Sequence, residues 1–306
     1  SDGGLLFLKE VDKNIGLIDR IADCLGDKRH ASYVKHDIKS LLNQRIMQIA
    51  AGYEDANDCN TLRNDGVLKV CCETENSLSA QSTMSRFENS ISSKELYKIS
   101  QSFVDQFIAS YPKEPKVIIL DCDDTASRVY GEQQLSLFNN YYGDYCYMPL
   151  HIYEGLSGKL IASILKPGRR SKSVDVFGIL KRIITYLRNS WPDTLIILRG
   201  DSHFCSQSFM DWAETEYNVG FITGLTGNSV LNRLSQTTIE SAERQFKTSG
   251  QPVKRYHSFS YKAKSWKHQQ RVVVKVEANH KGTNIRYIVS NIRCIRTKAL
   301  YENAYC

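Results

Sequence analysis

The sequence predicts an α/β fold preceded by helices, and three observations carry that prediction. Short, fully apolar, β-branched runs recur after residue 115, with an amphipathic helical stretch between the first two. The first hundred residues carry helical rather than alternating apolar periodicity. A basic stretch rich in alternating positions then interrupts the α/β pattern between Gly227 and Asn284.

In the N-terminal part, Val34, Ile38, Leu41, Leu42, Ile46, Ile49 and Ala50 follow the helical rhythm from Tyr33 to Ala51, and Gly52 stops it. A second helical stretch runs from Ser93 to Tyr111 and meets Pro112. Between them, Ser82, Thr83, Ser85 and Arg86 are residue types that contact phosphates and base edges at the start of a recognition helix. A plain polar helix start explains them equally well.

Val117–Leu120 reads as a strand buried on both faces. It delivers Asp121, Asp123, Asp124 and Thr125. Alternating segments follow near 147–153 and 160–165, and then an amphipathic helix from about Val174 to Leu187. Thr194–Leu198 is a second apolar strand and leads into Arg199, Gly200, Asp201, Ser202 and His203. A helix over 206–216 returns the chain to a third strand, Val219–Thr223. Strand, crossover helix and strand in this order predict a sheet with covered faces. Asn284–Ile292 reads as a last strand returning to that core.

Composition narrows the function classes. The 306 residues are 42% hydrophobic and 24% charged, ordinary values for a soluble globular chain. No run approaches the roughly eighteen apolar residues of a membrane span, so a soluble protein without a membrane partner is expected. The nine cysteines include no C-x-x-C pair, which argues against a structural zinc site and for reduced thiols. The net charge is +7. From Arg244 to Lys298 fourteen Lys or Arg face one acid, Glu277, with Tyr256, Phe259, Tyr261 and Trp266 interleaved. Such a one-signed surface concentrates polyanions, and nucleic acid is the obvious one. Lys254, Arg255, Lys262, Lys264 and Lys267 are the candidate contacts there, and Lys166, Arg169, Arg170 and Lys172 form a second candidate DNA-facing loop.

The candidate chemistry lies at strand ends, where ligand sites of α/β sheets collect. Asp121 and Asp123 end one predicted strand and Asp201 another, while Asp124 reads as a turn or cap residue. Carboxylates without His or Cys ligands at suitable spacing suit Mg²⁺ or Mn²⁺. Two such ions can clamp an in-line phosphoryl displacement.

Two families resemble parts of this pattern. Val117–Thr125 resembles the opening of haloacid-dehalogenase-like phosphatases, in which Asp121 would be the nucleophile and Asp123 the acid/base; the match ends with that motif. A longer series is similar to bacterial insertion-sequence transposases of the group named thirteen-eighty, allied to the Tn-five-like DDE enzymes. It runs through Asp2–Leu6, His36, Leu42-x-Gln-Arg45, Ala51–Asp55, Leu62-Arg63, Ser85–Asn89, Asp121-x-Asp-x-Thr125, Gly131-x-Gln133, Met148-Pro-Leu150, Leu165–Gly168 and Arg199–Phe204.

This resemblance implies an RNase H-like core with a mixed sheet, an N-terminal DNA-binding region over 1–115, and a first core part over 116–226. It further implies the basic insertion over 227–284 and the start of the core's last part over 285–306. It makes Asp123 and Asp201 the metal-binding acids and Asp121 the alternate to Asp123, with Mg²⁺ or Mn²⁺ as cofactor. Transposon ends and target DNA would be the partners, held by a possible homodimer in the bacterial cytoplasm at the nucleoid. Arg199 and His203, flanking the second acid, are candidates for holding phosphate or orienting water. Tyr305-Cys306 resembles the opening of the motif that carries the third acid, so the fragment is expected to be inactive alone.

Overall fold

The computed structural model describes residues 3–131, 133–169 and 176–306. It divides into two compact units, Ser1–Ser110 and Tyr111–Cys306. Of the expected features, Asp2, Arg170, Lys172 and the expected helix start at Val174 lie outside the described residues.

The first unit is helical: α1 (Gly4–Ile15), α2 (Leu17–Ala22), α3 (Ile38–Ala50), α4 (Asp58–Thr61), α5 (Gly66–Cys71), α6 (Gln81–Ser90) and α7 (Ser93–Ala109). Gly16, at a left-handed φ of 66°, ends α1 and starts α2 in a single residue, a conformation open to glycine at little cost. Asp37 caps α3 through the Ser40 amide. Ser92 and Glu95 form a reciprocal capping box on α7. The helical rhythm read from sequence is the buried face. Leu41 and Met47 of α3 are almost wholly buried, Met47 with Leu5, Ile18, Leu68 and Leu78, and Leu41 with Met84 and Phe87 of α6. Gln44 is buried without loss because its amide both donates to Ser79 O at 3.1 Å and accepts from Ser79 N at 2.9 Å.

The second unit holds an eight-stranded sheet and a three-stranded one. Its strands are β1 (Val117–Asp124), β2 (Ser127–Arg128), β3 (Leu137–Asn139), β4 (Asp144–Tyr147), β5 (Leu150–Glu154), β6 (Leu160–Ile164), β7 (Leu195–Gly200), β8 (Val219–Leu225), β9 (Val253–Tyr261), β10 (Gln270–Asn279) and β11 (Gly282–Ser290). The large sheet runs β6-β5-β1-β7-β8-β11-β10-β9, and β2-β4-β3 form the small one. β1, β7 and β8 are parallel neighbours, and every other pairing is antiparallel. Helix α8 (Val176–Ser190) leads into β7, and α9 (Gln207–Ala213) connects β7 to β8. The sheet is therefore mixed, as parallel strands joined by helices and antiparallel strands joined by hairpins require.

Side chains alternate across β1. Ile119, Asp121 and Asp123 share one face; Ile118, Leu120, Cys122 and Asp124 share the other. On the first face Ile119 packs with Ile197, Ile222, Val273 and Ile288, beneath Leu300 and Tyr301. Those two belong to the final helical segment, α12 (Thr297–Ala299) and the π-helix Leu300–Tyr305.

Two side chains fix the amino ends of the parallel strands. Arg188, near the end of α8, donates to the carbonyls of Trp191, Pro192 and Thr194 before β7, and of Tyr217 and Asn218 before β8. Glu114 accepts from the amides of Asp193 and Thr194 at 2.8 and 2.9 Å, tying the approach to β1 to that of β7.

The stretch 227–284 differs from its sequence reading in one respect. It opens with two helices, α10 (Ser229–Leu234) and α11 (Gln236–Ser249), before its strands begin. β9 and β10 are not a separate layer, because they extend the large sheet through β11.

Candidate active site

The acids are positioned by strand register. β1 and β7 pair in parallel from Val117↔Leu195 to Cys122↔Gly200, and the residues that follow this last pair are Asp123 on β1 and Asp201 just past the end of β7. Across the other edge of β1, Asp123 faces His151 and Asp121 faces Tyr153 on β5. His151 in turn faces Ser163 on β6. A paired row thus crosses the sheet in the order Ser163, His151, Asp123, and Asp201 follows the last paired residue of β7.

The four aspartates differ in what their charges meet. Both oxygens of Asp121 accept from Arg199, through Nε at 2.5 Å and through Nη2. This ion pair, followed by other acids nearby, holds the Arg199 guanidinium above its usual pKa. The remaining Arg199 nitrogen, Nη1, donates to Ala304 O at 3.1 Å and ties the final helical segment to β7. Gly155 makes room for the pair: a Cβ there would stand 2.7 Å from Arg199 Nη2 and 2.9 Å from Asp121 Oδ2.

On the opposite face, Asp124 is no turn or cap residue. Lys166 Nζ donates to both its oxygens, at 2.6 and 2.7 Å. The two side chains are 10% and 9% exposed, and His203 Nε2 lies 3.5 Å from Asp124. They line a cavity of about 360 Å³ that also touches Arg169, Phe177 and Phe209.

Asp201 is exposed and uses Oδ1 to accept from His203 N at 2.7 Å, capping the short turn Ser202–Phe204. Asp123 is exposed and takes no hydrogen bond or ion pair among the described residues. Asp123 and Asp201 therefore have no cationic side chain among the described residues, while Asp121 and Asp124 have one each. Side-by-side anions repel unless a counter-ion joins them, and exposed carboxylate oxygens suit a hard divalent cation. Asp123 and Asp201 fit such an ion in kind. Among the described residues no group of three or more His, Cys, Asp or Glu side chains is placed to hold a metal.

Tyr305 closes in on the same place. A Cβ on Gly224 would lie 3.0 Å from the Tyr305 hydroxyl and 3.1 Å from the Asp201 carbonyl carbon. Burial, and then the Asp201 charge, push the Tyr305 phenol above its usual pKa. Glu302 points elsewhere, its carboxylate accepting from the Tyr256 hydroxyl, which holds it below the usual carboxylate range.

Among the candidate DNA contacts, Lys254, Arg255, Lys262, Lys264 and Lys267 are exposed on β9 and the loop after it. Arg169 is exposed, and so is Arg86 on α6, whose Nε donates to Ser82 O. Lys166 is a correction. It is 8% exposed and committed to Asp124, so its amine does not present itself to a surface partner. Sequence reasoning passed over His151. Alternation along 147–153 gives its face, but only strand pairing puts it opposite Asp123.

Comparison with known proteins adds the following. Among solved structures, the chain matches a piggyBac transposase in a synaptic complex with hairpin DNA at 12% identity and a TM-score of 0.43. That match covers 94% of this chain and 60% of the piggyBac chain, so this chain spans 60% of that transposase's length. It also matches a prototype foamy virus protease-reverse transcriptase at 9% identity and a TM-score of 0.23, over 85% of this chain and 34% of that one. At those scores neither likeness bears on the site. No curated protein matches the chain. The family model for transposase DDE domain group 1, by contrast, matches residues 1–306. The whole chain therefore belongs to the transposase DDE domain group 1 family.

Proposed function

We propose that this chain is the DNA-cutting and joining body of an insertion-sequence transposase of the thirteen-eighty group, allied to the Tn-five-like enzymes, with Asp123 and Asp201 as its metal-binding acids. One observation carries the reading: in a DDE transposase chain, the two acids next in register on parallel strands are the two without a cationic partner. The half-sheet that is antiparallel on one side of β1 and parallel on the other supports an RNase H-like core. Within this reading, residues 1–115 and the basic segment 227–284 grip DNA, while 116–226 and 285–306 build the core. The substrate is double-stranded DNA at transposon ends and target, handled by a homodimer in the bacterial cytoplasm without a membrane partner.

Asp123 and Asp201 would hold Mg²⁺ or Mn²⁺, two ions in the complete site, and bound there the metal would polarise a phosphodiester and activate its attacker. The chain's own residues set the geometry. Asp201 is fixed by its bond from the His203 amide, and Asp123 by its place on a central strand. Arg199 occupies Asp121 and keeps it out of the metal set. The same pairing argues against Asp121 as a phosphatase nucleophile, since both its oxygens are taken. Exposed lysines and arginines on and after β9 bind phosphates, so affinity for DNA falls steeply as salt rises.

Mn²⁺ titration followed by electron paramagnetic resonance tests the site. The chain should bind Mn²⁺, and Asp123→Ala and Asp201→Ala should each weaken it by about tenfold or more, the loss of one charged ligand. Duplex DNA binding should persist in both. Unchanged Mn²⁺ affinity in the double variant would remove the site, and DNA binding without any Mn²⁺ binding would leave a non-catalytic DNA-binding remnant.

A further inference from the structure

We infer that His151 is a substrate-contacting residue of this site, donating to the DNA phosphate held at Asp123 and Asp201. The inference rests on the metal-site reading above and extends it to the substrate.

Three observations converge on the ring. His151 is the residue directly across the β1–β5 ladder from Asp123, so its side chain rises from the same face of the sheet. Residues paired in this way have Cβ atoms about 4.5–5.5 Å apart, within reach of one phosphate group. Next, the ring is held from its far side, where Ser163 Oγ and His151 Nδ1 share a hydrogen bond of 3.0 Å. Ser163 faces His151 on β6, the edge strand of the sheet. With Nδ1 engaged, Nε2 is the nitrogen left for a ligand, and it has no partner among the described residues. Finally, the ring is half-buried and has the exposed Tyr153 beside it at 6.4 Å between centroids, so its position is defined while one edge stays open.

The chemistry follows from the row in which the ring stands. Asp123 and Asp201 are acceptors only and cannot bind a phosphate oxygen without a cation between them. Arg199, on this face, is used up by Asp121 and Ala304 O. His151 is therefore the group in the row that can donate to a phosphate without competing for the metal. A donor set on a strand, with its second nitrogen tied down, is preorganised, which is what contact with a phosphodiester in fixed orientation requires.

The test compares affinity for a short duplex DNA oligonucleotide in Mg²⁺ with that in EDTA. Their ratio isolates contacts made at the metal site, since the basic surface contributes to both. The wild-type ratio should exceed one. His151→Ala should lower it by about tenfold or more, a typical loss for one hydrogen bond to a charged group. His151→Gln, whose amide keeps a donor near the place of Nε2, should retain most of it, and Ser163→Ala should fall between. Mn²⁺ affinity without DNA and thermal stability should be unmoved in His151→Gln.

A wild type that binds no Mn²⁺ sinks the metal-site reading and this inference with it. If Mn²⁺ binds but His151→Ala leaves the DNA ratio unchanged, the inference alone is overturned. It is likewise overturned if His151→Gln lowers Mn²⁺ affinity in the absence of DNA, because the ring would then be a metal ligand.

Discussion

The carboxylates around β1 fall into two regions that differ in how their charge is answered. In the first region, Asp121, Asp124 and Glu154 are each met by the protein itself. Arg199 meets the first and Lys166 the second. Glu154 is met by the amides of Ile119, Leu156 and Ser157 at 3.1, 3.1 and 2.7 Å. In the second, Asp123 and Asp201 have no cationic side chain among the described residues. The sequence gives all five the same chemical type, so what separates framework from site is the partner and not the residue. Carboxylates that the fold satisfies add to its stability, whereas those left bare add nothing to it and remain available for an outside ion.

Breaking this contrast should produce graded effects. The largest is expected for Lys166→Met, which strands the Asp124 carboxylate in a place where both side chains are about nine-tenths buried. Removing one partner of a buried pair costs about 3–5 kcal/mol, readable as a drop in the urea midpoint at constant slope. A loss below about 1 kcal/mol would mean that Asp124 finds water or another partner, and the pair would not belong to the framework.

Glu154→Gln sharpens the comparison through pH. Burial by itself would raise the Glu154 pKa, but bonds from Ser157, Ile119 and Leu156 outweigh it and hold the group below the usual carboxylate range. A depressed folded-state pKa contributes stability that is present above the unfolded value of about 4.3 and lost as pH falls through the folded value. At neutral pH the variant should be less stable by about 1–3 kcal/mol. The gap should narrow on acidification below about pH 4.3. A gap that widens in acid would reverse the assignment. Smallest of all should be Asp123→Asn, with stability within about 0.5 kcal/mol of wild type, although the same change removes a proposed metal ligand. A thermal scan decides it, and a large destabilisation would place Asp123 with the framework.

Much of the parallel core was legible in the sequence because each strand declares itself locally. The apolar runs at 117–120, 194–198 and 219–223 became β1, β7 and β8, and Phe177, Leu180, Ile183, Ile184 and Leu187 lie on α8. Helices α3 and α7 fell within a residue or two of their apolar rhythm at their C-terminal ends. Helix α11 did not declare itself, since only Ile239 and Ala242 of its fourteen residues are buried and its polar remainder hides the period. Pairing was the other limit. Which strands lie side by side is a long-range property that no local pattern encodes. Lys166 opposite Asp124, Arg199 opposite Asp121 and His151 opposite Asp123 therefore had to come from the fold. Asp124 looked like a turn residue because the cation that holds it is forty-two positions away.

Arg188 and Glu114 give the site an anchor at its remote end. They grip the strands where the strands begin, and the acids stand where they finish. A strand displaced by one residue presents its opposite set of side chains, so a slip of β7 against β1 would turn Asp201 away from Asp123 and bring a neighbour to face it. Alignment of β7 with β1 is thus supported well upstream of the acids, by a carboxylate on the approach to β1 that accepts from two amides on the approach to β7. A lesion at Glu114 would disturb the proposed metal pair while leaving both of its acids in the chain.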